Sequence, residues 1–230
     1  MFVGHFAVAF ASKKVAPKPN LGWLFAACQW PDLLWPILSL IGMEHFRIVP
    51  GDTKFTPLAF DYYPWSHSLL LDLAWAAGLG LLYLARRADK RGAWVIAGLV
   101  VSHWVLDWIT HRPDMPITPS NDHRFGLGLW NSVPLTIGVE TLLFGLGAVV
   151  YSRLTVARDR VGRFGFWTLV VLLYAIYVGN IFGPPPPNTL TVKVSALALW
   201  ILVPIAGWID QHRSVRTAVA ASHTTTPHTN

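Results

Sequence analysis

The sequence predicts an all-α, polytopic membrane helix bundle of about six spans, with a short N-terminal partial helix beside them. Three observations point there. Apolar runs long enough to cross a bilayer recur along the chain. Of its 230 residues 53% are hydrophobic and only 13% charged, where a soluble domain carries about 25%. Basic residues gather between or beside the apolar runs, as they do in the cytoplasmic loops of membrane proteins.

Four runs are uninterrupted: Ser68–Ala85, Ala93–Ile109, Val133–Tyr151 and Phe164–Phe182. Leu190–Ile209 contains Pro204 and still reads as a span. Leu21–Met43 is long enough, but Pro31 and Pro36 interrupt it around Asp32, so it predicts a broken or kinked helix. Val3–Ala16 is too short to cross and predicts a partial helix inside the bundle. Glu44–Trp65 and Arg112–Asn131 read as polar loops, and Gly183–Asn188, with its four prolines, as an extended turn. Residues 1–212 form one transmembrane domain in this reading, and 213–230 a disordered polar tail.

The formal charge of +6 lies in four groups: Lys13–Lys18, Arg86–Arg91, Arg153–Arg163 and Arg213–Arg216. All four fall on one side of the membrane if the spans alternate, which makes that side cytoplasmic and the loops Glu44–Trp65 and Arg112–Asn131 external. No aromatic-basic platform accompanies the charge, so nucleic acid is excluded as a partner, and membrane lipid is expected instead. With Cys28 the single cysteine, no internal disulfide can form. Oligomeric state is not legible.

Ionisable residues inside membrane segments cost roughly 2.5–3.5 kcal/mol each. Six stand out: His5, Asp32, His67, His103, Asp107 and Glu140. His103 and Asp107 are four residues apart on a predicted helix, so their side chains lie about 40° apart on one face and can reach a common cation. His103 falls about 12 Å, and Glu140 about 10 Å, below the outer ends of their helices, at matching depth. His67 opens a helix, Asp32 sits at the break and His5 starts the N-terminal helix, all on the outer side. Each has a plainer reading alone: a hydrogen-bonded histidine, a helix cap, a structural carboxylate. Their coincidence favours a metal site, with Asp32, Asp107 and Glu140 as the catalytic carboxylates. Asp72 reads as a helix-start residue, and His45, His111, Asp114 and His123 as solvated loop residues, with His111 available to a second metal.

The start with His5, then Trp30-Pro31-Asp32, Ser66-His67-Ser68 and His103-x-x-x-Asp107, resembles the membrane-bound metal-dependent hydrolases typified by a LexA-regulated bacterial inner-membrane protein. That resemblance covers roughly the first 140 residues. The family is itself similar, in ligand order and type, to zinc-dependent phospholipase C and the zinc nucleases. It implies His5, Asp32, His67, His103 and Asp107 as metal ligands, Glu140 as a ligand of a further metal, and one to three divalent ions, zinc foremost. It also implies a bacterial cytoplasmic membrane location, and the basic loops place the site on the non-cytoplasmic side. Tyr62-Tyr63-Pro64-Trp65 stands where members often carry a basic residue, which removes one phosphate clamp.

The function expected is metal-dependent hydrolysis of an ester or phosphoester, such as a lipid's, by activated water, with Arg47, Arg112 and Arg124 gripping the substrate. The rivals are an ion or proton transporter using the intramembrane His, Asp and Glu, and a non-catalytic membrane scaffold. The short chain, the lack of repeats and the confinement of ionisable groups to the outer half weigh against transport.

Overall fold

A computed structural model describes residues 1–120 and 123–216. It is a helical bundle with three small two-stranded sheets at its ends. In chain order come α1 (Val3–Ser12), α2 (Leu21–Cys28), α3 (Trp30–Leu40), the hairpin β1 (His45–Ile48) and β2 (Leu58–Tyr62), α4 (Pro64–His67), α5 (Leu69–Arg87) and α6 (Lys90–Thr110). Then follow β3 (Met115–Pro116), β4 (Arg124–Phe125), a 3₁₀ turn at Leu129–Asn131, α7 (Val133–Leu154) and β5 (Thr155–Ala157). A π-helical turn at Val161–Gly165 leads into α8 (Phe166–Phe182), and α9 (Thr189–Ala196), α10 (Leu199–Gln211) and β6 (Arg213–Val215) close the chain.

Five helical segments are long and apolar enough to cross a membrane: Leu69–Arg87, Lys90–Thr110, Val133–Leu154, Val161–Phe182 and Thr189–Gln211. They correspond to the five expected spans, each extended by a few residues. Their outward faces carry large apolar side chains such as Leu81, Leu142 and Val171, each more than 60% exposed, as a lipid-facing surface requires. The sixth expected span is two short helices, α2 and α3, meeting at Gln29. Pro31 stands in the first turn of α3, where its missing N–H costs nothing, and Pro36 lies inside the helix. Gly183–Asn188 is non-helical, as the prolines dictate.

The bundle closes around α1, which is buried on nearly every side. Phe6 and Phe10 pack against Phe25, Phe144, Tyr151 and Phe166. Gly147 makes this possible: a Cβ there would stand 2.5 Å from the Ala7 carbonyl oxygen. On the other flank α5 and α6 run antiparallel after the left-handed turn at Ala88, and a Cβ on Gly80 would sit 3.1 Å from the Ala93 carbonyl oxygen and 3.3 Å from Ala97 Cβ. That register sets Asp72 level with His103.

Two expectations are corrected. The tail does not begin at residue 213, because Arg213–Val215 pairs antiparallel with Thr155–Ala157; the rest of that tail, from 217, lies outside the described residues. The loops expected to be external are not simply solvated chain. The β1–β2 hairpin and the β3–β4 pair fold over the bundle and bury Glu44, His111 and Asp114.

Candidate metal centre

His103 and Asp107 project from α6 into the bundle, almost wholly buried, with Nε2 of the imidazole 3.1 Å from Asp107 Oδ2. From α1, His5 lays its ring flat on His103, at 3.8 Å between centroids and 6° between planes, and brings Nε2 to 3.1 Å from Asp107 Oδ1. Asp32, in the first turn of α3, places Oδ1 3.5 Å from His67 Nε2 and 3.9 Å from His103 Nε2. Asp107 Oδ2 is 3.8 Å from His67 Nε2. His67 closes the single turn α4 rather than opening α5, as the sequence reading had it; Ser68 breaks the two helices apart and caps α5.

Two triads result, His5–His103–Asp107 and Asp32–His67–His103, sharing His103. Within each, the candidate ligand atoms lie within 4.8 Å of one another. Distances of 3.5–3.9 Å are too long for hydrogen bonds. They are close to the spacing of about 3.4 Å that bonds of about 2.1 Å set between neighbouring ligands of a tetrahedral ion. His103 Nε2 is buried with no hydrogen-bond partner among the described residues. Imidazole nitrogens and carboxylate oxygens are the donor set that zinc-like ions take, so the residues present fit such an ion.

The supporting contacts orient the rings the same way. His103 Nδ1 is 2.8 Å from the Cys28 carbonyl oxygen at the α2–α3 break. A carbonyl only accepts, so Nδ1 carries the proton and Nε2 offers a lone pair. His67 Nδ1 is 2.6 Å from Ser66 Oγ, which lies 2.8 Å from Glu44 Oε2; Glu44 also accepts from the Ser66 backbone N–H at 2.8 Å. An ionised Glu44 accepts the hydrogen bond that the Ser66 hydroxyl donates, so Ser66 Oγ accepts from His67 Nδ1–H and leaves Nε2 free to bind. Burial pushes the Glu44 carboxyl up to about 7, against the pull of its hydrogen bonds to Ser66. The amino group of Met1 rests on Asp107 Oδ1, 3.2 Å from Thr110 Oγ1.

The structure thus brings together His5, Asp32, His67, His103 and Asp107. Glu140 it places otherwise. Oε2 accepts from the backbone N–H groups of Phe2 at 2.8 Å and Gly4 at 3.2 Å, so Glu140 satisfies the free amino end of α1 and joins neither triad. Arg47, Arg112 and Arg124 lie in the loop layer and are already engaged. Arg47 grips Asp61 with two bonds of 2.7 and 2.8 Å, Arg124 donates to the Asp61 carbonyl at 2.8 Å, and Arg112 pairs with Asp52 and Asp114 at 3.0 and 3.2 Å. Arg112 connects to the centre through Asp114, which accepts from Tyr63 at 3.1 Å, whose ring packs 5.1 Å from that of His67. His111, read as a solvated loop residue, is buried against Trp130 with Nδ1 2.9 Å from Asp114.

Two residues were missed by sequence reasoning. Glu44 gave no signal, being one acid at the start of a loop. Asp72 is fully buried with both carboxylate oxygens unpartnered among the described residues, at the depth of His103. Its signal was the stripe Asp72, Ala76, Leu79, Tyr83, whose spacing continues the buried face of α5 through the acid.

A bundle of apolar spans around a buried His–Asp cluster defines an integral membrane protein with a polar centre in one half of its thickness. The YdjM inner membrane protein family model matches residues 1–183, and the chain belongs to that family. No curated protein and no solved structure matches it.

Proposed function

We propose that the cluster binds one or two divalent cations of zinc type and that the protein is a membrane-embedded hydrolase of a lipid-borne ester or phosphoester. The observation that supports this most strongly is the sharing of His103 by two triads, of which Asp32–His67–His103 has metal-like rather than hydrogen-bond spacing. A divalent cation held there would supply Lewis acidity, bringing the pKa of a bound water down to near neutrality and offsetting developing negative charge. His5, His103 and Asp107 hold the deeper position. Asp32 is the least buried of the five, its side chain 27% exposed, so the carboxylate oxygen not turned to His67 and His103 is the one placed to take the proton of an attacking water on the side open to substrate. Arg112, poised through Asp114 and Tyr63, offers the nearest route for charge to an anionic group.

The basic groups Arg86–Arg91, Arg153–Arg163 and Arg213–Arg216 all lie at the far ends of their helices from the cluster, which favours a site in the non-cytoplasmic half. Trace-metal analysis of purified protein tests the reading. Stoichiometric zinc that disappears in His103→Ala and Asp107→Ala is expected, with release of a labelled headgroup or acyl chain from mixed-lipid vesicles by the loaded wild type. Wild-type protein from metal-supplemented cells carrying no divalent ion overturns it.

A further inference from the structure

At the opposite end of the bundle, about 20 Å along α7 from Glu140, a groove of about 960 Å³ opens between the end of α7, β5, the π-helical turn and β6. Arg158, Arg160, Arg163, Arg213 and Arg216 line it. Arg213 is structural: its guanidinium binds Thr155 Oγ1 at 2.8 Å and stacks 4.9 Å above Phe166, with its donors turned inward. The other four are exposed and form no ion pair among the described residues. Asp159 is the one acid among the lining residues, and it is occupied by the Gly162 N–H at 2.9 Å and by His212 Nδ1 at 2.5 Å.

Beside the arginines, the same groove exposes Phe164 (61%) and Trp167 (48%) at the start of the Val161–Phe182 span. Unpaired guanidinium groups fit phosphate oxygens in bidentate fashion. Exposed aromatic rings at the end of a span lie where headgroup meets acyl chain. A free phosphate or an acidic peptide would use the arginines and leave the rings bare; an amphiphile at the end of a membrane span uses both.

We propose that this groove is a binding site for the phosphate headgroup of an anionic phospholipid, whose chains lie along Phe164 and Trp167. It is separate from the metal centre and does not depend on any reading of that centre.

Purified full-length protein in neutral detergent is titrated with short-chain phosphatidylglycerol and bound lipid is counted by native mass spectrometry. Phosphatidylcholine and inorganic phosphate are the comparison ligands. Saturable binding of phosphatidylglycerol is expected, with little binding of either comparison. The pair Arg160→Ala/Arg163→Ala lowers affinity about 25-fold, at about five-fold per arginine, whereas Arg160→Lys/Arg163→Lys, which keeps the charge and loses the bidentate fork, falls between that pair and wild type. Arg86→Ala/Arg91→Ala, the same charge removed from exposed residues at the same end of the bundle, leaves it unchanged. Equal loss in that control pair means a diffuse surface potential and overturns the proposal. Equal binding of phosphatidylcholine overturns it as well, and so does phosphate alone binding as tightly as the lipid.

Discussion

Removing the Ser66 hydroxyl isolates the arrangement that orients His67. In Ser66→Ala, His67 Nδ1–H loses its acceptor at 2.6 Å and Glu44 loses one donor at 2.8 Å while keeping the backbone N–H of residue 66. A buried donor left without a partner costs about 1–3 kcal/mol. The ring recovers part of that by turning, which moves Nε2 from its position 3.5 Å from Asp32, or by changing tautomer, which puts the proton on Nε2; either removes the lone pair from the site. Loss of such a supporting hydrogen bond lowers metal affinity by about 10–100-fold, or about 1.4–2.7 kcal/mol, which agrees with the cost of the stranded donor. The assay is competition for zinc against a chromophoric chelator, on protein shown to be folded by circular dichroism and gel filtration. Ser66→Thr keeps the hydroxyl and retains affinity within a few-fold. Ser66→Ala binding zinc as tightly as wild type refutes the claim that Glu44 and Ser66 set the tautomer of His67; absence of zinc from the wild type refutes the metal reading itself.

Other perturbations test the frame around the centre. Gly147→Ala puts a Cβ 2.5 Å from the Ala7 carbonyl and lowers stability by about 1–3 kcal/mol, read as a drop in thermal midpoint in detergent. Lys13→Ala strands Asp210, which Lys13 meets at 2.7 Å and Tyr151 also contacts, and costs about 3–5 kcal/mol; Lys13→Met with Asp210→Leu recovers much of it. Asp72→Asn replaces a fully buried carboxyl that has no partner among the described residues by a neutral amide of the same shape, so the midpoint holds or rises, and a fall of many degrees contradicts that absence. Glu44, its carboxyl raised from 4.5 to about 7, is held protonated more tightly folded than unfolded, so its contribution is full below pH 4.5 and is lost as pH rises through 7. Relative to Glu44→Gln, metal-free wild type therefore loses about 3 kcal/mol between pH 4.5 and 8, and a pH-independent difference in SDS unfolding contradicts that burial.

Much of the His–Asp cluster was readable because its members carry a periodicity or a break. His103 and Asp107 follow from 3.6 residues per turn, and Asp32 from prolines that a continuous span would not hold. Glu140 shows where that logic stops. Its depth along α7 was read correctly, but depth does not fix azimuth. Glu140 lies on the stripe Thr136, Glu140, Phe144, Gly147, the side of α7 that meets α1, and there the nearest demand is the unsatisfied N–H groups of Phe2 and Gly4. His111 and Asp114 were misread for a different reason. Loop residues are buried here by the β1–β2 hairpin folding back, a long-range event that leaves no periodic mark in either segment.

The break between α2 and α3 ties the two levels together. In an unbroken helix the Cys28 carbonyl would accept from the backbone N–H of Asp32; here it faces His103 Nδ1 instead. The same kink turns Asp32 toward His67 and His103. One interruption therefore brings a carboxylate into the cluster and orients an imidazole beside it. A bilayer tolerates exposed backbone of this kind only beside protein or a polar cavity, so the break and the cluster each require the other. Restoring a regular helix, with Pro31→Ala and Pro36→Ala together, should lengthen the helix and strengthen its own hydrogen bonding while weakening zinc binding. A variant that gains helix content and keeps full metal affinity would show that the prolines matter only for chain direction.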